Sequence, residues 1–143
     1  MERIASFTVN HDVLVPGLYL SRRDGDVTTF DLRFKKPNTG DLLTNAQMHS
    51  VEHIIATLLR NSPEKDAVIY FGPMGCQTGF YVLYRNIEPD EAEADIVSAF
   101  EAVANYRGEM PGGSKIECGN CLNLSTNDAR RAAELFLERT GRA

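Results

Sequence analysis

Two apolar runs near the start of the chain, HDVLVPGLYL and VTTFDLRF, alternate or cluster hydrophobic residues in the manner of β-strands. They are separated by SRRDGD, in which Asp24, Gly25 and Asp26 are typical of a tight hairpin turn. The pattern therefore predicts two antiparallel strands joined by a turn.

The next segment changes from the period of a strand to that of a helix. After the loop KKPNTGDLL, Thr44 or Asn45 can cap a helix that runs to about Arg60, where Asn61 and Pro63 end it. Its buried stripe is marked by four apolar residues at helical spacing: Met48, Val51, Ile55 and Leu58.

The second half of the chain predicts two further strands and two further helices. AVIYFG and FYVLYR are the strands, on either side of the Gly- and Pro-rich PMGCQTG. One helix begins at Pro89 and ends before Gly108, and a last helix is capped within residues 125–127. Apolar residues mark the inward faces of these helices: Ile96, Phe100, Val103 and Ala104, then Ala129, Ala132, Leu135 and Phe136. PGGSKIECGNCLNL, between the helices, is a glycine-rich loop with room for a short strand.

This order of elements has no regular βαβ rhythm. It favours the α+β class, an antiparallel β-sheet with helices packed on it. The length of 143 residues, 43% of them hydrophobic, suits one compact domain over residues 1–143.

Charge and cysteine content narrow the function classes. The net charge of −5 argues against nucleic acid or an anionic membrane as partner, because phosphate binding needs a basic surface. MERIASFTVN lacks the apolar core of a signal peptide, and no apolar run approaches the length of a membrane span. Three cysteines, an odd number, do not make a secreted disulfide framework, so a cytoplasmic protein is expected.

The segment HSVEH places His49 and His53 four residues apart on the predicted helix. Residues i and i+4 share a helical face, so the two imidazoles can be aimed at one point. Glu52 lies at the edge of that face, where a carboxylate can exchange protons with a ligand of the metal. The plain alternative is two polar residues on an amphipathic helix, but the His-x-x-Glu-His set favours a metal site.

A metal site needs a third ligand, and the thiolate of Cys118 in IECGNC is the candidate. Glycines in and before this loop free the backbone to bring the sulfur to the helix. Two alternatives stay open. Cys118 and Cys121 would form a C-x-x-C redox pair, or both cysteines and both histidines would hold a structural zinc ion.

Cys76 lies in a second glycine-rich loop, GPMGCQTGF. Gly75 and Gly79 permit a tight turn and a close approach of a ligand to the backbone. A cation beside such a cysteine favours the thiolate, which can accept and return a proton. A buried, inert cysteine is the alternative.

Together these motifs resemble the S-ribosylhomocysteinase family, usually called LuxS. The resemblance runs from about Ser6 to Ala133 and keeps the family order of the parts. SFTVNHDVLVPGLY is similar to the N-terminal segment, FDLRFKKPN to the arginine strand, HSVEH to the metal helix, GPMGCQTGFY to the catalytic-cysteine loop and ECGN to the third-ligand loop. The ordered set is far more specific than any one motif.

The resemblance implies a LuxS/metallopeptidase-like fold and an activity. The family cleaves S-ribosylhomocysteine to homocysteine and 4,5-dihydroxy-2,3-pentanedione, the precursor of the autoinducer-2 signal. Iron(II) is its physiological metal, replaceable by zinc or cobalt, and its members are homodimers with active sites at the subunit interface. By motif position, the metal ligands are His49, His53 and Cys118, the acid–base pair is Glu52 and Cys76, and Ser6, His11 and Arg33 contact substrate.

The chain departs from the family pattern at two places. Many members carry an aspartate in the strand before the catalytic-cysteine loop, where this chain has Tyr70. Many also have a His-Asp pair soon after Glu-Cys-Gly, where this chain has NCLNLST.

The residues alone leave two rival functions. One is an inverted-motif metallopeptidase in which Glu52 activates a zinc-bound water, although that class needs a carboxylate ligand and a much larger chain. The other is a non-enzymatic binding module stabilised by a four-ligand zinc ion.

Overall fold

A computed structural model describes residues 1–142, and Ala143 lies outside the described residues. Its elements, in chain order, are α1 (Ala5–Thr8), β1 (Gly17–Asp24), β2 (Val27–Arg33), α2 (Asn45–Leu59), β3 (Val68–Pro73), β4 (Gly79–Arg85), α3 (Pro89–Ala104), a 3₁₀ turn (Cys121–Asn123) and α4 (Thr126–Arg139). The four strands form one antiparallel sheet in the order β1-β2-β4-β3. The predicted α+β class is therefore confirmed.

The predicted hairpin forms between β1 and β2, which pair from Gly17 opposite Arg33 to Asp24 opposite Val27. Gly25 at the turn has φ +62°, a conformation that glycine adopts at little cost. β1 begins at Gly17 rather than near His11, directly after a proline that has no N–H to donate to a ladder. The short helix α1 was not predicted, because four residues are too few to show a helical period.

The core lies between one face of the sheet and helices α2, α3 and α4, which also contact one another. Side chains alternate across β2, so Phe30, Leu32 and Phe34 enter the core while Asp31 and Arg33 lie on the opposite face. The alternation continues on the neighbouring strand β4. The face that carries charged residues is the one turned away from the helices.

Helix α2 begins where the sequence predicted. The Thr44 hydroxyl accepts a hydrogen bond from the Gln47 backbone N–H, and the Gln47 side chain accepts one from the Thr44 backbone N–H, which completes a capping box. Ile54 joins the buried stripe, and the predicted member Leu58 is only half-buried. In α4, likewise, Leu135 is half-buried and the deeper position belongs to Leu137.

The segment 111–124 forms turns and the 3₁₀ turn Cys121–Asn123, without the short strand for which the sequence left room. The Ser125 backbone N–H donates to the buried Ser50 hydroxyl on α2 at 2.8 Å. This bond fixes the segment against the helix that carries both histidines. No helix within residues 1–142 combines the length and the apolar character needed to cross a lipid bilayer.

Candidate metal centre and substrate cleft

The side chains of His49, His53 and Cys118 converge on one point. One ligand atom from each lies within 4.8 Å of the other two, and all three residues are half-buried. The His49 and His53 ring centroids are 4.7 Å apart with an interplanar angle of 86°. The predicted set of three ligand residues is therefore brought together by the fold.

The His49 ring is oriented by Asn123, which the sequence did not single out. The Asn123 amide group donates to the Asn45 side-chain oxygen, so its own oxygen faces His49 Nδ1 at 2.5 Å. An amide oxygen only accepts, so Nδ1 carries the proton and the Nε2 lone pair is free for a metal. Asn123 thus supplies the acceptor that a metal-binding histidine normally has on its other nitrogen.

The His53 ring is held in the same tautomer by the backbone. Its Nδ1 lies 2.9 Å from the Pro111 carbonyl oxygen, which again only accepts. Gly112 follows with φ +64°, and a Cβ at this position would lie 3.3 Å from His53 Nδ1. Glycine is favoured here both by its backbone conformation and by the closeness of the ring.

The donor set fits a divalent metal ion. His49 Nε2 and Cys118 Sγ are 3.4 Å apart, close to the roughly 3.5 Å that separates nitrogen and sulfur ligands of one tetrahedral ion. The Asn120 backbone N–H lies 3.4 Å from the Cys118 sulfur, where it can stabilise a thiolate. Two neutral imidazoles and one thiolate suit zinc, iron or cobalt, so the residues determine a metal class but not one metal.

Cys121 does not belong to this three-residue cluster within the described chain. It begins the 3₁₀ turn that follows the ligand loop, and it is a free thiol, as are the other two cysteines. A four-ligand structural zinc site therefore loses its fourth ligand. The Cys118–Cys121 redox pair also loses its context, because a 3₁₀ turn follows instead of the strand and helix typical of that motif.

Glu52 is half-buried on α2, three residues after His49. Within residues 1–142 its carboxylate makes no hydrogen bond or ion pair, and it lies outside the ligand cluster. Its predicted acid–base role remains a prediction.

The other predicted site residues line a second region, a cavity of about 380 Å³. Ser6, His11, Arg33 and Cys76 all contribute to its wall. Ser6 and His11 come from the N-terminal segment, Arg33 from the end of β2, and Cys76 from the loop between β3 and β4. The His11 ring is tethered by Nδ1, 2.9 Å from the Val9 carbonyl oxygen. Residues far apart in sequence thus share one cleft, and the predicted contact of Ser6 and His11 with substrate remains a prediction.

Arg33 is 2% exposed, and its guanidinium is already engaged. It donates to both Asp31 carboxylate oxygens, at 3.1 and 2.6 Å, and to the Thr78 hydroxyl at 2.8 Å. Its Nη1 lies 3.9 Å from the Cys76 sulfur. Its predicted contact with substrate remains a prediction, and the bonds seen here place one end of the guanidinium beside Cys76.

Tyr81 completes the wall of this cleft. Burial raises the pKa of its phenol, and the Asp31 carboxylate and the Cys76 sulfur act in the same direction, while Arg33 opposes them. The hydroxyl therefore stays neutral around pH 7 and can donate a hydrogen bond into the cleft.

The two regions lie on opposite sides of the sheet. Leu32 and Phe34 point into the core beneath the helices, so Arg33 between them faces away from α2. His49 and His53 are on α2, and none of the ligand residues lines the Cys76 cavity. One chain therefore presents two separate regions: the metal half-site, formed by His49, His53 and Cys118, and the cysteine half-site, the cavity lined by Cys76 and Arg33.

Sequence reasoning missed three residues that these half-sites use. Asn123 orients a ligand, Asp31 holds Arg33, and Thr78 contacts the Cys76 sulfur at 3.0 Å. Asp31 and Thr78 each lie two residues from a predicted site residue, on the same face of a strand or in the same loop. That spacing was the available signal.

Comparison with known proteins agrees with the motifs. A family model described as S-ribosylhomocysteinase (LuxS) matches residues 4–143. The S-ribosylhomocysteine lyase of Clostridium beijerinckii is 44% identical over 143 residues, covering 96% of this chain and 90% of the relative. That of Desulfotalea psychrophila is 50% identical over 142 residues, covering 93% and 87%. These names denote a carbon–sulfur lyase and match the activity that the motif resemblance implies, and the chain belongs to the S-ribosylhomocysteinase (LuxS) family.

Proposed function

We propose that this protein is an S-ribosylhomocysteine lyase. It cleaves S-ribosylhomocysteine to homocysteine and 4,5-dihydroxy-2,3-pentanedione, with one divalent metal ion per subunit. The observation that carries the proposal is the convergence of His49, His53 and Cys118, with Nδ1 of each imidazole held by an acceptor, in a chain of this family.

The substrate chemistry explains why a metal and two proton-transfer groups are required. The thioether sulfur is attached to C5 of the ribose. The C–S bond breaks by β-elimination, with homocysteine as the leaving group, only when a carbonyl at C3 makes the C4 proton acidic. The carbonyl must therefore migrate from C1 to C2 and then to C3. Each migration removes a proton next to a carbonyl and returns it to the neighbouring carbon.

His49, His53 and Cys118 would hold the metal ion. When bound, a divalent ion acts as a Lewis acid that stabilises negative charge on the substrate oxygens. Asn123 and the Pro111 carbonyl keep each imidazole in the tautomer that offers Nε2. The chain thus prepares the ligand atoms before the ion binds.

Cys76 and Glu52 are assigned the proton transfers. The Cys76 sulfur, beside Arg33 and Thr78, takes the early transfers between C1 and C2. Glu52, whose carboxylate has no partner within residues 1–142, takes the later transfers and the C4 proton. A well-placed acid or base contributes on the order of 10²–10⁴ in rate.

Ser6 and His11 are assigned to bind substrate, since both line the Cys76 cavity. Arg33 lines the same cavity and is paired with Asp31. Its positive charge reaches substrate as part of this pair, so it orients an anionic group more weakly than a free arginine would.

The working site is formed by two copies of the chain. In one subunit the sheet separates the cysteine half-site from the metal half-site, and proton transfer needs both at one sugar. A two-fold dimer brings each half-site of one subunit to the complementary half-site of its partner. We further propose a cytoplasmic protein that carries iron(II) in the cell, because its three free cysteines, of which Cys118 is the proposed thiolate ligand, suit a reducing compartment.

The test is direct. Anaerobically purified protein with its metal quantified is incubated with S-ribosylhomocysteine, the protein is removed by filtration, and released homocysteine is measured with a thiol reagent. We expect one homocysteine per substrate consumed. Metal-replete protein that released no homocysteine would overturn the proposal.

Two variants assign the roles. Cys76→Ala is expected to retain the metal and to lose turnover by on the order of 10²–10⁴-fold. Cys121→Ala is the matched control, expected to retain both metal and activity because Cys121 lies outside the ligand cluster. Normal turnover by Cys76→Ala would show that Cys76 takes no part in the proton transfers. Metal loss in Cys121→Ala would favour the four-ligand zinc site instead.

A further inference from the structure

A buried chain of hydrogen bonds leads from Asp31 to the Cys76 sulfur. The Asp31 carboxylate accepts two hydrogen bonds from the Arg33 guanidinium, Arg33 Nη1 donates to the Thr78 hydroxyl at 2.8 Å, and this hydroxyl lies 3.0 Å from Cys76 Sγ. Arg33 and Thr78 are each only 2% exposed. Water therefore has little access to the bonds in the middle of the chain.

The first bonds of the chain favour one direction for the last bond. A guanidinium has donors and no acceptor, so the Thr78 oxygen accepts from Arg33. The single hydroxyl proton is then directed away from Arg33, and the Cys76 sulfur at 3.0 Å is an acceptor within its reach, in a contact whose geometry allows either atom to donate. A sulfur that accepts this hydrogen bond accepts it more strongly as a thiolate than as a thiol, because hydrogen bonds to charged acceptors are the stronger ones.

The charged and titratable groups around the sulfur come from three elements. Arg33 and Asp31 lie on β2, Tyr81 lies on β4, and His11 lines the same cavity from the N-terminal segment. The Arg33 charge is compensated by Asp31, and its closest nitrogen is 3.9 Å from the sulfur. The neutral hydroxyl at 3.0 Å is therefore the nearest group able to stabilise a negative sulfur.

We propose that Thr78 is a positioning residue for the lyase reaction, whose hydroxyl donates to Cys76 and holds it as the thiolate that accepts a proton from the sugar. Asp31 supports it indirectly, by holding the Arg33 guanidinium where Nη1 can donate to the Thr78 oxygen. The proposal rests on the proton-transfer role proposed for Cys76. Thr78 lies two residues after Cys76, and its side chain need not touch substrate.

The test compares Thr78→Val, which keeps the shape but lacks the hydroxyl, with Thr78→Ser, which keeps the hydroxyl. The rate of alkylation of Cys76 by iodoacetamide is followed against pH in metal-loaded protein, with Cys76 identified by peptide mass spectrometry. A hydrogen bond to a charged group shifts a titration by roughly one to two pH units. We expect the alkylation midpoint to rise by that amount in Thr78→Val and to stay near the wild-type value in Thr78→Ser.

An unchanged midpoint in folded Thr78→Val, or an equal rise in both variants, would overturn the proposal. Folding of each variant is checked by thermal unfolding. A second measurement uses the unsubstituted protein, where the ¹³Cβ resonance of Thr78 must change at the same pH as the alkylation rate. A resonance that does not respond at that pH also overturns it, even if Thr78→Val fails to fold.

Neither measurement uses S-ribosylhomocysteine, so the inference and the proposed function can fail separately. A midpoint shift without homocysteine release would support the Thr78–Cys76 hydrogen bond and contradict the proposed substrate. Homocysteine release without a midpoint shift would keep the lyase and remove Thr78 from the control of Cys76.

Discussion

At the scale of single residues, the metal half-site depends on atoms that never touch the ion. His49 and His53 each donate Nδ1–H to an acceptor from the segment 111–123, one a side-chain amide and the other a backbone carbonyl. These bonds fix the ring orientation and raise the basicity of Nε2. The side-chain partner, Asn123, can be removed without altering any ligand.

Asn123→Ala is expected to lower metal affinity by roughly 10–100-fold, because the His49 ring loses its acceptor and its preferred tautomer. Affinity for Zn²⁺ is measured by competition with a chromophoric chelator. Asn120→Ala is the matched control, since its side chain is exposed and makes no hydrogen bond within residues 1–142. Equal affinities in the two variants would mean that the 2.5 Å contact does not tune the ligand.

At the scale of the elements, the hydrophobic periodicity of the sequence predicted the strands and helices that pack around the common core. Strands β2 and β4 and helices α2, α3 and α4 each bury a regular apolar face, and each was found from that face. The segment 111–124 has no such face. Its shape comes from turns and from single bonds to α2, such as that of Asn123 with a histidine 74 positions earlier, and no local pattern encodes them. The ligands were recognised by their chemistry and spacing, and their supporting residues were not.

One contact joins β4 to α3 within the core and makes stability depend on pH. The Tyr84 hydroxyl donates to the Asp95 carboxylate at 2.7 Å, and both residues are buried. Burial, followed by this hydrogen bond, raises the pKa of Tyr84 well above its ordinary value of 10.0. The folded chain therefore keeps the phenol neutral at a pH where the unfolded chain ionises it.

Tyr84→Phe is expected to lower the free energy of unfolding by about 1–3 kcal/mol at pH 7, because the Asp95 carboxylate is left without its donor. The difference from wild type should shrink above about pH 10, since the raised pKa stabilises the wild type only below the unfolded value and this contribution is lost as pH rises. Urea unfolding at fixed protein and metal concentrations, at pH 7 and at pH 10.5, measures both effects. A difference that stayed constant between the two would show that Tyr84 ionises alike in both states.

At the scale of the whole molecule, the N-terminal segment beside the cysteine half-site exposes apolar side chains. Phe7 and Val13 are 64% and 70% exposed, on the same stretch that carries Ser6 and His11. Exposed apolar residues bordering an incomplete site suit an interface with a second copy of the chain. The dimer would then complete the site and cover this surface in one step.

A mixed dimer tests whether each site is shared. Cys76→Ala and His49→Ala are each expected to be inactive alone, but a heterodimer isolated with two different tags contains one site with both lesions and one with neither. It should recover roughly half of the wild-type rate per dimer, measured as homocysteine release. A heterodimer of wild type with the double variant Cys76→Ala/His49→Ala is the inverse control. There every shared site carries one lesion and activity is lost, whereas sites built within single chains would leave the wild-type subunit working. Activity in the second heterodimer and none in the first would therefore show that each working site is built within a single subunit.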